Sequence, residues 1–259
     1  MILWPHVLPQ QLLVEGYGEQ LSNQLIRTEM DAGPAKVRRR FTAAPRPVNG
    51  SIIVTPAQLV FFRNWYYNVL LGGSLRFGWT DPFTGDELTN LVTNSGFDSA
   101  TTGWTGTHCT ISSVSGGVYG NCLALTIDDD PAHENWQEAQ QYAALTVGNT
   151  YSLATYHKTG TLAAGKLVLL YYDSVGGLSV QTTTESDWTL LQTDFVATAA
   201  SQGISLLIYN EDHGTMLFDE VSLVDITAGI MEMRFIEPPT LSPIDPTAIR
   251  INMALEILP

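Results

Sequence analysis

A chain of 259 residues, 44% of them apolar, has material for one large core or two of ordinary size. Its formal net charge of -14 argues against a nucleic-acid binder, because phosphate contacts need clustered lysine and arginine on the protein surface. No basic N-terminal segment leads into an apolar one, and wholly apolar runs such as Leu167 to Tyr172 fall far short of the roughly 20 residues a membrane span needs; a soluble protein, neither secreted nor membrane-inserted, is expected.

In chain order, Trp4, Pro5 and a Leu/Gln-rich segment come first, followed by the run Met30 to Phe41, MDAGPAKVRRRF. After a bend at Pro45 and Pro47, the β-branched Ile52, Ile53 and Val54 predict a strand over Gly50 to Thr55. A helix is expected at once: Thr55 suits the N-cap and Pro56 the first helical position, Leu59, Phe62, Tyr66 and Val69 recur at helical spacing, and Gly72 with Gly73 supplies the stop. Leu75, Phe77 and Trp79 then alternate with Arg76, Gly78 and Thr80, the period of a half-buried strand, which ends in a turn from Asp81 to Asp86.

The clearest strand is the last, where Ile249, Ile251, Met253, Leu255 and Ile257 alternate with Arg250, Asn252, Ala254 and Glu256. Before it, Met231, Met233 and Phe235 alternate with Glu232 and Arg234 up to Pro238 and Pro239. With Thr89 to Gly229 excised, the strand at Leu75 to Thr80 runs through a short turn into the one at Met231 to Glu237, a plain hairpin. Residues 1–89 and 230–259 are therefore expected to form one discontinuous domain, and residues 90–229 an insertion at a hairpin tip, where insertions are tolerated.

Charge marks the same division. Leu91 to Ile226 holds 15 acids against Lys158 and Lys166 alone, while the remainder is nearly neutral with 11 acids and 10 bases. The middle segment shows no convincing helix and seven candidate strands, at Thr110 to Val114, Cys122 to Ile127, Thr150 to His157, Lys166 to Asp173, Trp188 to Val196, Ile204 to Tyr209 and Met216 to Val224. The fold class expected is mainly β: a split β domain with one helix, plus an inserted β-sandwich. Cys109 and Cys122 have neither CxxC spacing nor a nearby histidine pair that would suggest zinc; their separation suits a hairpin disulfide, with buried free thiols the favoured state.

The outer unit resembles phage minor tail proteins of the lambda-like type, which act as distal tail proteins. The resemblance lies in the basic run Lys36 to Arg40, the Thr55-capped helix, Leu75 to Trp79 with Thr80, Asp81 and Pro82 at the turn, and the alternating C-terminal strand. It implies a self-assembled ring, usually a hexamer, joining the tail tube protein to the tip or baseplate hub protein, at the distal end of the virion tail after assembly in the host cytoplasm. The inserted unit is similar to jelly-roll carbohydrate-binding modules, in its opening Asn90-Leu91-Val92-Thr93-Asn94-Ser95-Gly96-Phe97-Asp98 with Gly103-Trp104, and in its close Met216-Leu217-Phe218-Asp219-Glu220-Val221-Ser222-Leu223. That implies a sugar site, with host cell-surface polysaccharide as partner; the alternative is an insert that only decorates or braces the tail.

Sugar modules stack pyranose faces on exposed aromatic rings and bond the hydroxyls with polar side chains. Trp136 lies in the acidic stretch Asp128 to Gln141, Tyr156 and Tyr209 fall on strand faces opposite Leu153 and Ile208, and Tyr172, Asn210 and His213 are candidates to flank them; rim or second-core aromatics are the bland alternative. The resemblance further implies a structural calcium tying the first strand to the last through Asp98 and Asp219, although the usual residue at the first position is the longer glutamate. No other cofactor is expected. Along a strand, Lys36, Arg38 and Arg40 face one way and Val37 and Arg39 the other; this cluster is expected at a subunit interface, with contact to DNA in the tail lumen as the weaker alternative. Catalysis is not expected: the five histidines lack metal-ligand spacing and no GxSxG, Walker or dinucleotide fingerprint occurs. The rival enzyme reading is a polysaccharide depolymerase, built from two of the insert's many carboxylates.

Overall fold

The computed structural model describes residues 1–22, 24–40, 43–83, 88–127, 136–162, 167–173, 178–183, 185–209, 213–227 and 229–259, with the backbone course alone for 167–173, 178–183 and 209. The chain forms two compact units: an inserted unit, Leu88–Ala228, and, Met1 aside, a split unit that joins Ile2–Glu87 to Gly229–Pro259. The split unit opens with β1 (Gly18–Glu19), β2 (Leu25–Thr28), β3 (Lys36–Arg39) and β4 (Arg46–Val54), then helix α1 (Pro56–Asn64), which continues as a π-helical turn over Trp65–Val69, and β5 (Phe77–Trp79). The inserted unit holds β6 (Thr105–Thr107), β7 (Thr110–Ser115), β8 (Asn121–Ile127), β9 (Trp136–Ala144), β10 (Thr150–Thr159), β11 (Leu167–Asp173), β12 (Leu178–Thr183), β13 (Thr189–Val196), β14 (Ser201–Tyr209) and β15 (Gly214–Asp225). The split unit closes with β16 (Met231–Phe235), β17 (Thr240–Asp245) and β18 (Ala248–Ile257).

One antiparallel sheet organises the split unit, in the order β1-β4-β18-β16-β5 with β17 also on β18. The alternating apolar residues of β4 and β18 meet on its inner face: Ile52 pairs with Ile251 and Val48 with Leu255, all four fully buried. β5 pairs with β16, Phe77 opposite Met233 and Trp79 opposite Met231, so chain segments on either side of the inserted unit complete one sheet. Phe77 and Trp79 are buried as their alternation predicts, but Gly78 is buried too. The first residues of the chain cover it: the Gly78 carbonyl accepts from the Trp4 N–H at 2.8 Å and the Gly78 N–H donates to the Ile2 carbonyl at 2.7 Å, and Trp4 stacks on Trp79 with ring centroids 4.0 Å apart.

Thr55 caps α1 as expected, within a capping box: its hydroxyl accepts from the Gln58 N–H at 3.2 Å while its own N–H donates to the Gln58 side chain at 3.0 Å. The buried face departs from the expected one. Phe61, Phe62, Trp65, Tyr66 and Leu70 are buried, whereas Leu59 and Val69 are only half-buried. The π-helical turn accounts for the later part of the change, since its wider turn rotates the side chains after Asn64 relative to a uniform 3.6-residue period.

The inserted unit is a sandwich of two five-stranded antiparallel sheets, β13-β10-β15-β8-β7 and β12-β11-β14-β9-β6. Between them pack Leu123, Leu125, Leu153, Phe218 and Leu223 from the first sheet and Ile204, Leu206 and Ile208 from the second. The mainly-β expectation holds, and all seven candidate strands are present within a few residues of their bounds. Three more, β6, β9 and β12, were not anticipated. β9 reads WQEAQQYAA and buries only Gln137, Ala139, Gln141 and Ala143 on its inner side, so no hydrophobic alternation betrays it. Gln141 is tolerated there because its amide is satisfied, accepting from the Thr93 N–H at 2.8 Å and donating to the carbonyls of Thr93 and Gly103.

The opening and closing segments lie side by side. The Leu91 N–H donates to the Leu223 carbonyl at 2.8 Å, and the Asn90 side chain accepts from the N–H groups of Val92 and Leu223 while donating to the Val221 carbonyl. Phe97 and Trp104 enter the core together, 5.5 Å between ring centroids. Both cysteines are free thiols, Cys122 fully buried and Cys109 half-buried with its thiol on the Glu138 carbonyl at 3.3 Å.

Candidate functional site

Because Ala139 and Ala143 point into the sandwich, the alternate residues of β9, Trp136, Glu138, Gln140 and Tyr142, lie on the outer face of the second sheet. From Trp136 to Tyr142 is six steps along the strand, about 20 Å at the usual rise. On β14 the core residues Ile204, Leu206 and Ile208 leave Gly203, Ser205 and Leu207 on the same outer face, in register with Tyr142, Gln140 and Glu138. Trp136 begins the row, half-buried, with the His108 ring 4.5 Å from its own, and its backbone pairs with Tyr209. Tyr142 ends the row with its side chain 67% exposed.

Gly203 leaves a bare floor between the last two members. A Cβ there would come within 2.9 Å of the Gln140 amide nitrogen and 3.4 Å of the Tyr142 ring. Beside it the Ser205 hydroxyl is fully buried and makes no hydrogen bond among the described residues. A buried hydroxyl left unmatched costs about 1–3 kcal/mol. An aromatic at each end, an amide and a carboxylate between, and a small-residue floor is an arrangement that suits an extended, hydroxyl-rich chain lying along β9.

The sequence-derived set is divided by this geometry. Trp136 belongs to the face, and Tyr209 occupies the register position opposite it. Tyr156 does not belong: it lies on β10, in the other sheet, and only 5% of it is exposed, so its ring offers no stacking surface. Burial, with Glu220 and Asp219 adding to it, pushes its hydroxyl pKa upward. Tyr172 pairs with Ile204, on the register row of the core residues, whereas its neighbour Tyr171 pairs with Ser205 on the outer row. Asn210 lies outside the described residues, and His213 is exposed just before β15, at an end of the first sheet. Tyr142, Gln140 and Glu138 were not foreseen; the signal available was the period-2 spacing of aromatic and polar residues from Trp136 to Tyr142.

The two acids expected at a cation border one turn, Gly117 to Gly120. Asp219 is fully buried; its carboxylate accepts from the N–H groups of Tyr119 at 3.1 Å and Glu220 at 2.8 Å. Burial, reinforced by the neighbouring Glu220, pushes its pKa up to about 8 against the opposing pull of these amides. Asp98 is exposed, its carboxylate 3.1 Å from where a Cβ on Gly120 would stand. Gly117 is required: a Cβ there would sit 2.3 Å from the Asn121 carbonyl and 2.5 Å from an Asp219 oxygen. Among the described residues no three His, Cys, Asp or Glu side chains converge. Two carboxylates bordering one turn are a partial donor set for calcium, which takes six to eight oxygens.

On the first sheet's inner side His157 is fully buried, and neither ring nitrogen has a hydrogen-bond partner among the described residues. Burial lowers its pKa to about 4.

In the split unit, β2 and β3 form a two-stranded hairpin on their own. Lys36, Val37, Arg38 and Arg39 are all exposed, as is Arg40 after them; Arg38 pairs with Ile26, and Arg39 with Leu25. Leu25 and Val37 are each 55% exposed. An isolated hairpin is marginal in water, and this one displays cations and apolar side chains on both its faces.

No family model matches the chain, and no curated protein matches it. Solved structures align with about half of it at low identity. The enzymatically active domain of tailspike protein 4 of bacteriophage CBA120 is 13% identical with a TM-score of 0.44, over 53% of this chain and 21% of that one. The CBM22-1 xylan-binding domain of Xyn10C from Paenibacillus barcinonensis is 16% identical with a TM-score of 0.44, over 54% of this chain and 97% of that one. TmCBM61, solved in complex with β-1,4-galactotriose, is 13% identical with a TM-score of 0.41, over 53% of this chain and 99% of that one. The fold of the inserted unit rests on its own two sheets and their register.

Proposed function

We propose that this chain is a structural protein of a bacteriophage tail tip whose inserted sandwich binds host-surface glycans along the outer face of its second sheet. The observation that carries the glycan reading is the row Trp136, Glu138, Gln140 and Tyr142 over the floor of Gly203 and Ser205. Binding without cleavage is favoured because glycoside hydrolysis takes a pair of carboxyl groups flanking the bond, and the described side chains of this face include one, Glu138. Retention of the full chain on an array of bacterial envelope polysaccharides tests it. Trp136→Ala and Tyr142→Ala should each weaken retention while leaving the melting temperature in place; a wild type that no glycan retains, or variants retained like wild type, would refute it.

The ring reading belongs to the split unit. Its support is the exposed β2–β3 hairpin, whose Lys36, Arg38 and Arg39, with Arg40 after them, would meet a neighbouring subunit, the tube or the hub. A ring would present several glycan faces together, and linked weak sites gain about 10² to 10⁴ in avidity without stronger single contacts.

A further inference from the structure

The glycan face has a sign. Glu138 occupies its middle, between Trp136 and Gln140 along β9, and no described cation pairs with it. The unit around it has only two cations among its many acids. One of them, Lys158, is on β10 in the other sheet, held over the Trp188 ring at 4.8 Å; Lys166 lies outside the described residues. The Ser205 hydroxyl, fully buried on the same face and without a hydrogen bond among the described residues, is an independent mark of a surface that suits a polar ligand.

Electrostatics then selects among glycans. A polymer of uronic acids or phosphodiesters would approach against the field of the whole unit, whereas a glycan bearing protonated amines would be drawn to it and would meet Glu138 between the two aromatic rings. From this juxtaposition of Trp136, Glu138, Tyr142 and the buried Ser205 hydroxyl, we infer that the face takes an amino-sugar polymer, a chain of hexosamines in which some nitrogens are free ammonium groups. The aromatic ends supply stacking that any pyranose shares; Glu138 supplies the discrimination between a charged nitrogen and an acetylated one. The inference rests on the glycan reading proposed above and narrows it.

The test compares soluble β-1,4-linked glucosamine hexamers, their fully N-acetylated counterparts and oligogalacturonate of similar length, each titrated into the full chain at pH 6 in low and high salt. The glucosamine oligomer should bind best in low salt and lose its advantage in high salt, and oligogalacturonate should not bind. Glu138→Gln should weaken glucosamine binding about fivefold, the worth of one partly exposed ion pair, and leave the acetylated oligomer unchanged. Asp187→Asn, which removes an exposed acid before β13 in the other sheet, should change neither. Equal binding of both hexosamine oligomers, or equal losses in the Glu138 and Asp187 variants, overturns the amino-sugar assignment. If Trp136→Ala then still abolishes binding, the glycan reading itself stands. If the wild type binds none of the three oligomers and no glycan of the array, both fall together.

Discussion

Asp219 and His157 are fully buried in the same sandwich with pKa values displaced in opposite senses, and together they dictate an unusual stability profile. Asp219 is raised from 3.8 to about 8, so the folded chain keeps a proton that the unfolded chain has already lost, and stability falls as pH rises through that window. The whole effect is about 6 kcal/mol at about 1.4 kcal/mol per pH unit. His157 is lowered from 6.5 to about 4, so the unfolded chain takes up a proton that the folded one refuses, and about 3 kcal/mol is lost as pH falls from 6.5 to 4. Between about pH 4 and 6.5 the two slopes oppose and cancel. Above pH 6.5 only Asp219 acts, and about 2 kcal/mol should disappear by pH 8.

Urea unfolding of the full chain across this range measures the profile, following the transition that Leu153→Ala shifts, since that residue is in the sandwich core. Asp219→Asn should flatten the decline above pH 6.5 and leave a loss of stability on acidification from His157 alone. His157→Gln should do the reverse, leaving a steady fall from about pH 4 to 8. The slopes carry the test, because either substitution also changes the absolute stability of a buried site. A wild type whose stability is level between pH 6.5 and 8, with Asp219→Asn indistinguishable in slope, would mean that Asp219 is ionised in the fold and that the reasoning from burial is wrong.

Calcium should oppose the alkaline decline, because a cation beside Asp219 holds it ionised; added calcium should raise the melting temperature at pH 8 and chelator should lower it, with Asp219→Asn insensitive to both. Identical melts in calcium and chelator would rule out the cation site. In the split unit, Thr55→Ala removes one half of the capping box and should cost about 1 kcal/mol in denaturant titrations, with a far smaller change arguing that the strand before it holds the helix start unaided. Arg38→Glu with Arg39→Glu should abolish oligomers of the full chain in light scattering and leave glycan retention by single chains unaltered. A wild type that stays monomeric at every concentration would remove the ring reading.

Much of the fold was legible because it rests on local signals. Thr55-Pro56 with Gln58 three residues after the cap specifies a helix start whatever follows, and the strict alternation from Ile249 to Ile257 admits one strand face. The site was less legible. β9 hides its strand character because glutamines and alanines fill its inner side, so Trp136 stood out as an isolated aromatic and Tyr142 was not connected to it. Tyr156 shows the complementary error. Its strand and its parity were readable, yet parity alone does not say which of two sheets a strand joins or whether its outward face is covered.

By itself, then, the sequence determined the mainly-β character, the break in charge between two units, the helix cap, and the strands whose apolar residues recur every second position. Those properties depend on neighbours within a few residues, where propensity and periodicity act directly. Only the tertiary structure decided that β9 and β14 stand side by side with Trp136 across from Tyr209 and Gly203 under Tyr142, that Tyr156 sits on the opposite sheet, and that Asp219 is buried among backbone amides. Pairing between strands about 60 residues apart is set by the summed burial of both sheets against each other, a quantity that no single segment carries.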